Sequence, residues 1–425
     1  MSSTVDKFGN YLIKQFPENP EKFRKLLEMA YRLVGFQASH FPSKKRTASR
    51  EYLQSKTAKW MADMVKDSSE SAVVNIFMPC EIFHAMDIQV AAPEALATYI
   101  VCTACETPFI DKAAELGAAP SFCSYHKLLM GLAETGIYKK PRLIANTTLA
   151  CDANQLSFRY LAEKWKVPQV VIDVPYDTGE DSVLYVADQL REMTTVAEEA
   201  TGRRLDENKL KENIARDIRT QESFRKYLEL RPGVHFPEAL TPELLSVLAN
   251  HLFLGLPEAE TYCQMLLNDA KKAPALTSQK KILWMHVLPN WQKSMCDIFQ
   301  GMDNQRIEIV GSDLTYDSFV QMDPEKPYES MARRIVQSSY NGPGIRRIEK
   351  TLEMAEKMKV DGILIFCQWG CKQTQGISLT AKQIFEKHGF PTLVLDGDGA
   401  DRTNGGGGQI VTRAQAFIEQ LEEKN

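Results

Sequence analysis

No stretch of the 425-residue chain approaches the roughly 18 uninterrupted apolar residues of a membrane-spanning helix, so an integral membrane protein is not expected. The N-terminal segment MSSTVDKFGNYLIKQFPENPEKF lacks the apolar core and small-residue cleavage site of a secretory leader, and a cytoplasmic location is expected. Charge of one sign is also lacking. The net charge is −4, and Lys and Arg are scattered along helical segments without forming the basic stripe that neutralises phosphates, which argues against nucleic acid as a partner. There is no GxxxxGK[ST] loop, and the glycine run at 405–408 precedes QIVTRAQAF without the lysine that would reach a phosphate. That run reads as a flexible loop before a helix, and any ATP hydrolysis is left to another protein.

What is present points to a globular α/β chain. Hydrophobic residues make up 44% and charged residues 25%, and 425 residues exceed what one core usually covers. Helical periodicity with many Lys and Glu predicts a helical cap over residues 1–70. Short apolar runs VVNIF (73–77), RLIAN (142–146) and QVVID (169–173), separated by helical stretches, predict a first parallel-sheet lobe over 71–183. Residues 184–279 read as a helical bridge. KILWMHVL (281–288), RIEIV (306–310), DGILIF (361–366) and PTLVLD (391–396) predict a second lobe over 280–425, both lobes being of the flavodoxin or Rossmann kind.

The lobes repeat one unit. RLIANTTLAC…AEKWKVPQVVID and GILIFCQWGC…FEKHGFPTLVLD share a strand, a cysteine, a helix, Glu-Lys, a proline, a strand and an aspartate. Leu143 to Cys151 and Ile363 to Cys371 are both eight positions apart, which puts one cysteine just past a strand's carboxyl end in each lobe. Ligands of open parallel sheets bind at that edge, so the chemistry is expected between the lobes.

Nine cysteines in a reducing compartment favour buried thiols, catalysis or metal over disulfides. Cys263 and Cys296, inside helical TYCQMLL and SMCDIF, read as core fillers. Cys123, Cys151, Cys367 and Cys371 stand beside turn-forming residues, and sulfurs drawn from such separated loops suit an iron–sulfur site better than structural zinc. Cys80 follows a strand and a proline, with core packing and ligation evenly balanced, while Cys102 and Cys105 share a helix face or turn. His84 and His126 lie beside Cys80 and Cys123 and are the candidate proton donors, although packing is the commoner role of each.

CSYHK, NTTLACD, the WGCK segment and the closing LDGD…GGQIVTRAQAFIE resemble the 2-hydroxyacyl-CoA dehydratase and benzoyl-CoA reductase family from about residue 70 onward. The resemblance implies a [4Fe-4S] cluster held by Cys123, Cys151 and Cys371, with one iron left for a non-protein ligand. The extra cysteines Cys80, Cys367 and one of Cys102 and Cys105, with Cys105 preferred for its polar neighbour Glu106, resemble the branch of the family whose six cysteines hold a double-cubane [8Fe-9S] centre. That branch implies a homodimeric, ATP-dependent reductase of small unsaturated molecules such as acetylene, fed by an ATP-hydrolysing iron–sulfur partner. The alternative implied is a dehydratase subunit with a single cubane, eliminating water from a 2-hydroxyacyl-CoA by a ketyl radical route.

Overall fold

The computed structural model describes residues 4–16, 18–236, 240–277, 279–299, 306–317, 319–404 and 407–423. Eight strands form two four-stranded, all-parallel sheets. The first holds β1 (Ala72–Val74), β2 (Val90–Ala91), β3 (Leu143–Thr147) and β4 (Gln169–Ile172), in the order β2-β1-β3-β4. The second holds β5 (Lys280–Met285), β6 (Ile307–Ser312), β7 (Gly362–Gln368) and β8 (Thr392–Gly397), in the order β6-β5-β7-β8. Both orders are the flavodoxin-like 2-1-3-4, so the repeat seen in the sequence extends to topology. The central strands β3 and β7 are buried at every position, as Val, Ile and Leu runs covered by helices on both faces should be.

Three helices, Thr4–Gln15, Pro20–His40 and Ala48–Lys66, build the N-terminal cap. Asn19 starts the second by accepting a hydrogen bond from the Lys22 backbone N–H at 2.9 Å, with Pro20 in the first turn. The bridge consists of helices Glu180–Thr201, Glu207–Leu230, Leu240–His251 and Pro257–Lys272. One buried cluster ties the parts together: Arg334 of the second lobe meets Glu81 of the first at 2.6 Å and Asp217 of the bridge at 3.2 Å. Removing Arg334 would leave the Glu81 carboxylate buried without its counter-charge, which costs about 3–5 kcal/mol.

The structure departs from the expected strands where polar residues turn the chain. The run at 73–77 stops at Val74, because Asn75 leaves the ladder to clamp Thr147: its side chain donates to Thr147 Oγ1 and accepts from the Thr147 N–H, both at 3.0 Å. β2, two residues long, has no counterpart among the expected strands. The run at 281–288 ends at Met285, since His286 adopts φ +83°. Of the glycine run, Gly405 and Gly406 lie outside the described residues, and Gly407 and Gly408 open the helix Gly407–Glu423. No helix among the described residues is long and apolar enough to cross a membrane.

Candidate functional site

In a 2-1-3-4 sheet the strand order reverses between the first and third strands, and ligands bind at that switch point, off the carboxyl ends. Both switch points open onto one cavity of about 110 Å³. Ile76 and Phe77 follow β1, Ala150 and Cys151 follow β3, His286 to Leu288 follow β5, and Gln368 and Cys371 belong to the β7 end; all line it. Leu244, Val247 and Leu248 of the bridge close the side. The walls are largely apolar, so the few polar groups among them are the ones to account for.

Three cysteines reach this cavity: Cys123, Cys151 and Cys371. Each is the N-cap of a helix, of Ser124–Glu134, Asp152–Trp165 and Lys372–Lys387 respectively. Three helix N-termini therefore aim their partial positive charge at the same place, which favours anionic sulfur. Burial works in the opposite direction and pushes the Cys123 and Cys151 thiols well above the ordinary thiol range, with the neighbouring cysteines adding to the effect. Left without a cation these two thiols stay protonated, and a bound metal centre is what would hold them as thiolates. Among the described residues, no three His, Cys, Asp or Glu side chains gather closely enough for a single metal ion. A cluster of several irons, each taking one sulfur, fits such a spread donor set; a closed zinc site does not.

The loops that carry the cysteines are fastened across the lobes. Gln368 Nε2 donates to Ser124 Oγ at 3.1 Å and to Asp398 Oδ1 at 2.9 Å, and Ser124 Oγ donates to the same Asp398 oxygen at 2.5 Å. Trp369 Nε1 donates to the Pro120 carbonyl at 3.2 Å. Gly370, at φ +78°, lies against the Cys123 backbone so closely that a Cβ would meet its nitrogen at 2.8 Å. The sequence motifs CSYH, QWGC and LDGD thus form one seam that sets Cys123 beside Cys371.

His126 belongs to this site. Its Nδ1 pairs with Ser157 Oγ at 2.8 Å, its Nε2 lies 3.6 Å from Cys151 Sγ, and burial lowers it to about 3, so it is neutral at physiological pH. His84 lies elsewhere, its Nδ1 2.7 Å from the Leu254 carbonyl, in the wall of a separate cleft with Lys56 and Trp60.

Cys80, Cys105 and Cys367 do not line the cavity. Cys80 is buried with its Sγ 3.3 Å from the Met78 carbonyl, and Cys105 is buried 3.7 Å from the Ile100 carbonyl. Cys367 is the strand neighbour of Gln368, which does face the cavity. Successive side chains alternate across a sheet, so Cys367 turns to the other face, toward Ser378. Cys102 has its Sγ 3.8 Å from Asn290 Oδ1 in an adjoining pocket. Cys263 is fully buried in its helix, and Cys296 is half-buried against the Asn290 carbonyl.

Sequence reasoning missed Glu94, Arg347 and His286. Glu94, second residue of the helix Pro93–Cys102, lines the cavity; burial raises its carboxyl to about 7, and its Oε2 has no hydrogen-bond partner. Arg347 is fully buried behind Cys371: it pairs with Asp313 at 2.7 Å and donates to Thr374 Oγ1 at 2.9 Å, while Cys371 Sγ lies 3.7 Å from that same oxygen. A Pro-Glu pair and a basic helix face carry no local signal of such roles.

Two lobes of flavodoxin order facing each other across an apolar, thiol-lined cavity define a duplicated α/β protein with its cavity between the halves. The chain belongs to the 2-hydroxyglutaryl-CoA dehydratase D-component family, whose profile matches residues 75–421. It is 24% identical to the lactoyl-CoA dehydratase subunit alpha of Anaerotignum propionicum, over 81% of this chain and 89% of that one. The (R)-phenyllactyl-CoA dehydratase alpha subunit of Clostridium sporogenes is 23% identical over 81% of this chain and 88% of its own length. The (R)-2-hydroxyglutaryl-CoA dehydratase subunit alpha of Acidaminococcus fermentans is 25% identical over 64% of this chain, a match that spans 58% of that relative.

Proposed function

We propose that this chain is a subunit of a 2-hydroxyacyl-CoA dehydratase, with Cys123, Cys151 and Cys371 holding one [4Fe-4S] cluster beside the inter-lobe cavity. The observation that carries this reading is the convergence of three helix-capping thiols, and no fourth among the described residues, on one apolar cavity. The double-cubane reductase needs Cys80, Cys105 and Cys367 as further ligands, and none of them lines that cavity. The names of the three relatives support the same choice.

When bound, a cluster with three protein ligands supplies single-electron transfer and one iron without a protein ligand. The chain's own residues supply the rest. Ile76, Phe77, Leu244 and Leu288 keep water from the acyl group, so polar interactions inside the cavity gain strength. Glu94 holds a proton at its unpartnered Oε2 near neutral pH and gives it to the departing 2-hydroxyl, so that the C2–O bond breaks and water leaves. The carboxylate so formed takes up the proton that C3 loses as the double bond forms. Arg347, behind Cys371, supplies positive charge to a site that gathers negative sulfur. Electrons come from a separate ATP-hydrolysing iron–sulfur protein, as this sequence has no phosphate-binding loop of its own, and a companion subunit completes the enzyme.

The test is dehydration of (R)-lactoyl-CoA, (R)-phenyllactoyl-CoA and (R)-2-hydroxyglutaryl-CoA by anaerobic, iron-loaded protein supplied with companion subunit and activator. Formation of the enoyl-CoA from one of them, with kcat reduced on the order of 100-fold in Glu94→Gln, is the expected result. Acetylene reduction without turnover of any thioester would overturn it.

A further inference from the structure

In the wall of the same cavity stands a histidine whose local structure is costly and whose ring is unused. His286 follows β5 in the left-handed region, φ +83°, where side-chain-bearing residues are uncommon and, when present, cluster at functional sites. The conformation is held from behind: its backbone N–H donates to Asp313 Oδ1 at 2.7 Å, and Asp313 is in turn fixed by the fully buried Arg347 at 2.7 Å. The scaffold therefore spends a buried ion pair on aiming this side chain. The ring nevertheless makes no hydrogen bond. Nδ1 is shut away from solvent without a partner, which leaves the Nε2 edge to face the cavity that the residue lines.

The lobe repeat shows that this is a departure and not a habit of the fold. Strand register pairs Ala72 with Leu143 and Leu283 with Ile363, and Leu143 and Ile363 are equivalent in the repeat, so Asn75 occupies in the first lobe the position of His286 in the second. Asn75 is fully engaged with Thr147. Cys367 stands where Thr147 does, but it is turned toward Ser378, and His286 is left unpaired. A buried unpartnered N–H is rarer than an unpartnered acceptor, which places the ring proton on Nε2 and leaves Nδ1 bare.

We propose that His286 is a substrate-binding residue whose Nε2–H donates a hydrogen bond to the 2-hydroxyl oxygen of the acyl group, and so distinguishes a 2-hydroxyacyl thioester from the plain acyl thioester. This rests on the dehydratase reading of the cavity. It names a donor for the oxygen that the reaction removes, on the second-lobe side of the site.

The experiment is calorimetric binding of (R)-lactoyl-CoA and propionoyl-CoA, which differ only in that hydroxyl, to the anaerobic, iron-loaded full chain assembled with its companion subunit. The parent protein is expected to favour lactoyl-CoA about tenfold, the equivalent of one net hydrogen bond. His286→Ala weakens lactoyl-CoA more than propionoyl-CoA and so removes the preference, and His286→Gln, which keeps a donor, restores part of it. Equal affinity of the parent for both thioesters, a preference that survives in His286→Ala, or equal weakening of both thioesters would each overturn the proposal. Failure of the parent to bind either thioester would instead overturn the dehydratase reading, and this inference with it.

Discussion

The two halves of the repeat reach the same end by different local means. In both, a buried strand ends, the residue before the cysteine turns left-handed, and the cysteine caps a helix; Ala150 at φ +63° precedes Cys151 and Gly370 at φ +78° precedes Cys371. The second lobe requires glycine because its loop is pressed against the Cys123 backbone, whereas Ala150 faces the cavity and keeps its methyl. Their electrostatics differ as well. Cys371 has a buried Arg347 behind it, while Cys151 has the neutral His126 and the easily protonated Glu94. The second lobe thus supplies the buried positive charge and the glycine that closes the seam, and the first supplies groups that hold protons.

The largest test of that asymmetry is Gly370→Ala. The new Cβ meets Cys123 N and Ser121 O at 2.8 Å and sits on a backbone that L residues avoid, so a loss of about 3 kcal/mol or more is expected in chemical denaturation. Retained iron alongside that loss would show that the seam is not what positions the cysteines.

Glu94→Gln comes next. A carboxyl raised from 4.5 to about 7 binds its proton more tightly folded than unfolded, so stability is greatest below the unfolded value and declines as pH rises toward about 7. Denaturation of cluster-free protein across pH 4–8 should show the variant gaining on the order of 2–3 kcal/mol over the parent above pH 7, with no gain at pH 4. A residual slope is expected from the other buried carboxyls that burial raises, Glu243 (to about 7), Glu106 and Asp217 among them. A variant whose pH profile parallels the parent's would remove Glu94 from the account.

The smallest effect is Ala150→Gly. Relief of the left-handed strain should stabilise by about 0.5–1 kcal/mol, the opposite sign from Gly370→Ala at the matching position. A destabilisation would mean that the Ala150 methyl contributes more to packing than its backbone costs.

What was legible in the sequence was whatever is local. Apolar runs ending in turn residues placed both sheets, and the repeated spacing from Leu143 to Cys151 and from Ile363 to Cys371 found two of the cavity's thiols. Direction was not legible. Cys367 and Gln368 are adjacent, yet only the second faces the cavity, and a two-residue strand such as β2 has no periodicity to detect. His84 looked like His126 in its nearness to a cysteine, but its helix carries it to another cleft. Glu94 and His286 gain their meaning from atoms left unpartnered by residues distant in sequence, a property that no window of sequence contains.

The most direct test of the central claim is iron and acid-labile sulfide per chain on anaerobically purified protein, with Cys151→Ser and the Cys80→Ser, Cys367→Ser double variant in parallel. About four irons, lost in Cys151→Ser and unchanged in the double variant, is the predicted result. About eight irons, falling by half in the double variant, would contradict it and restore the double cubane.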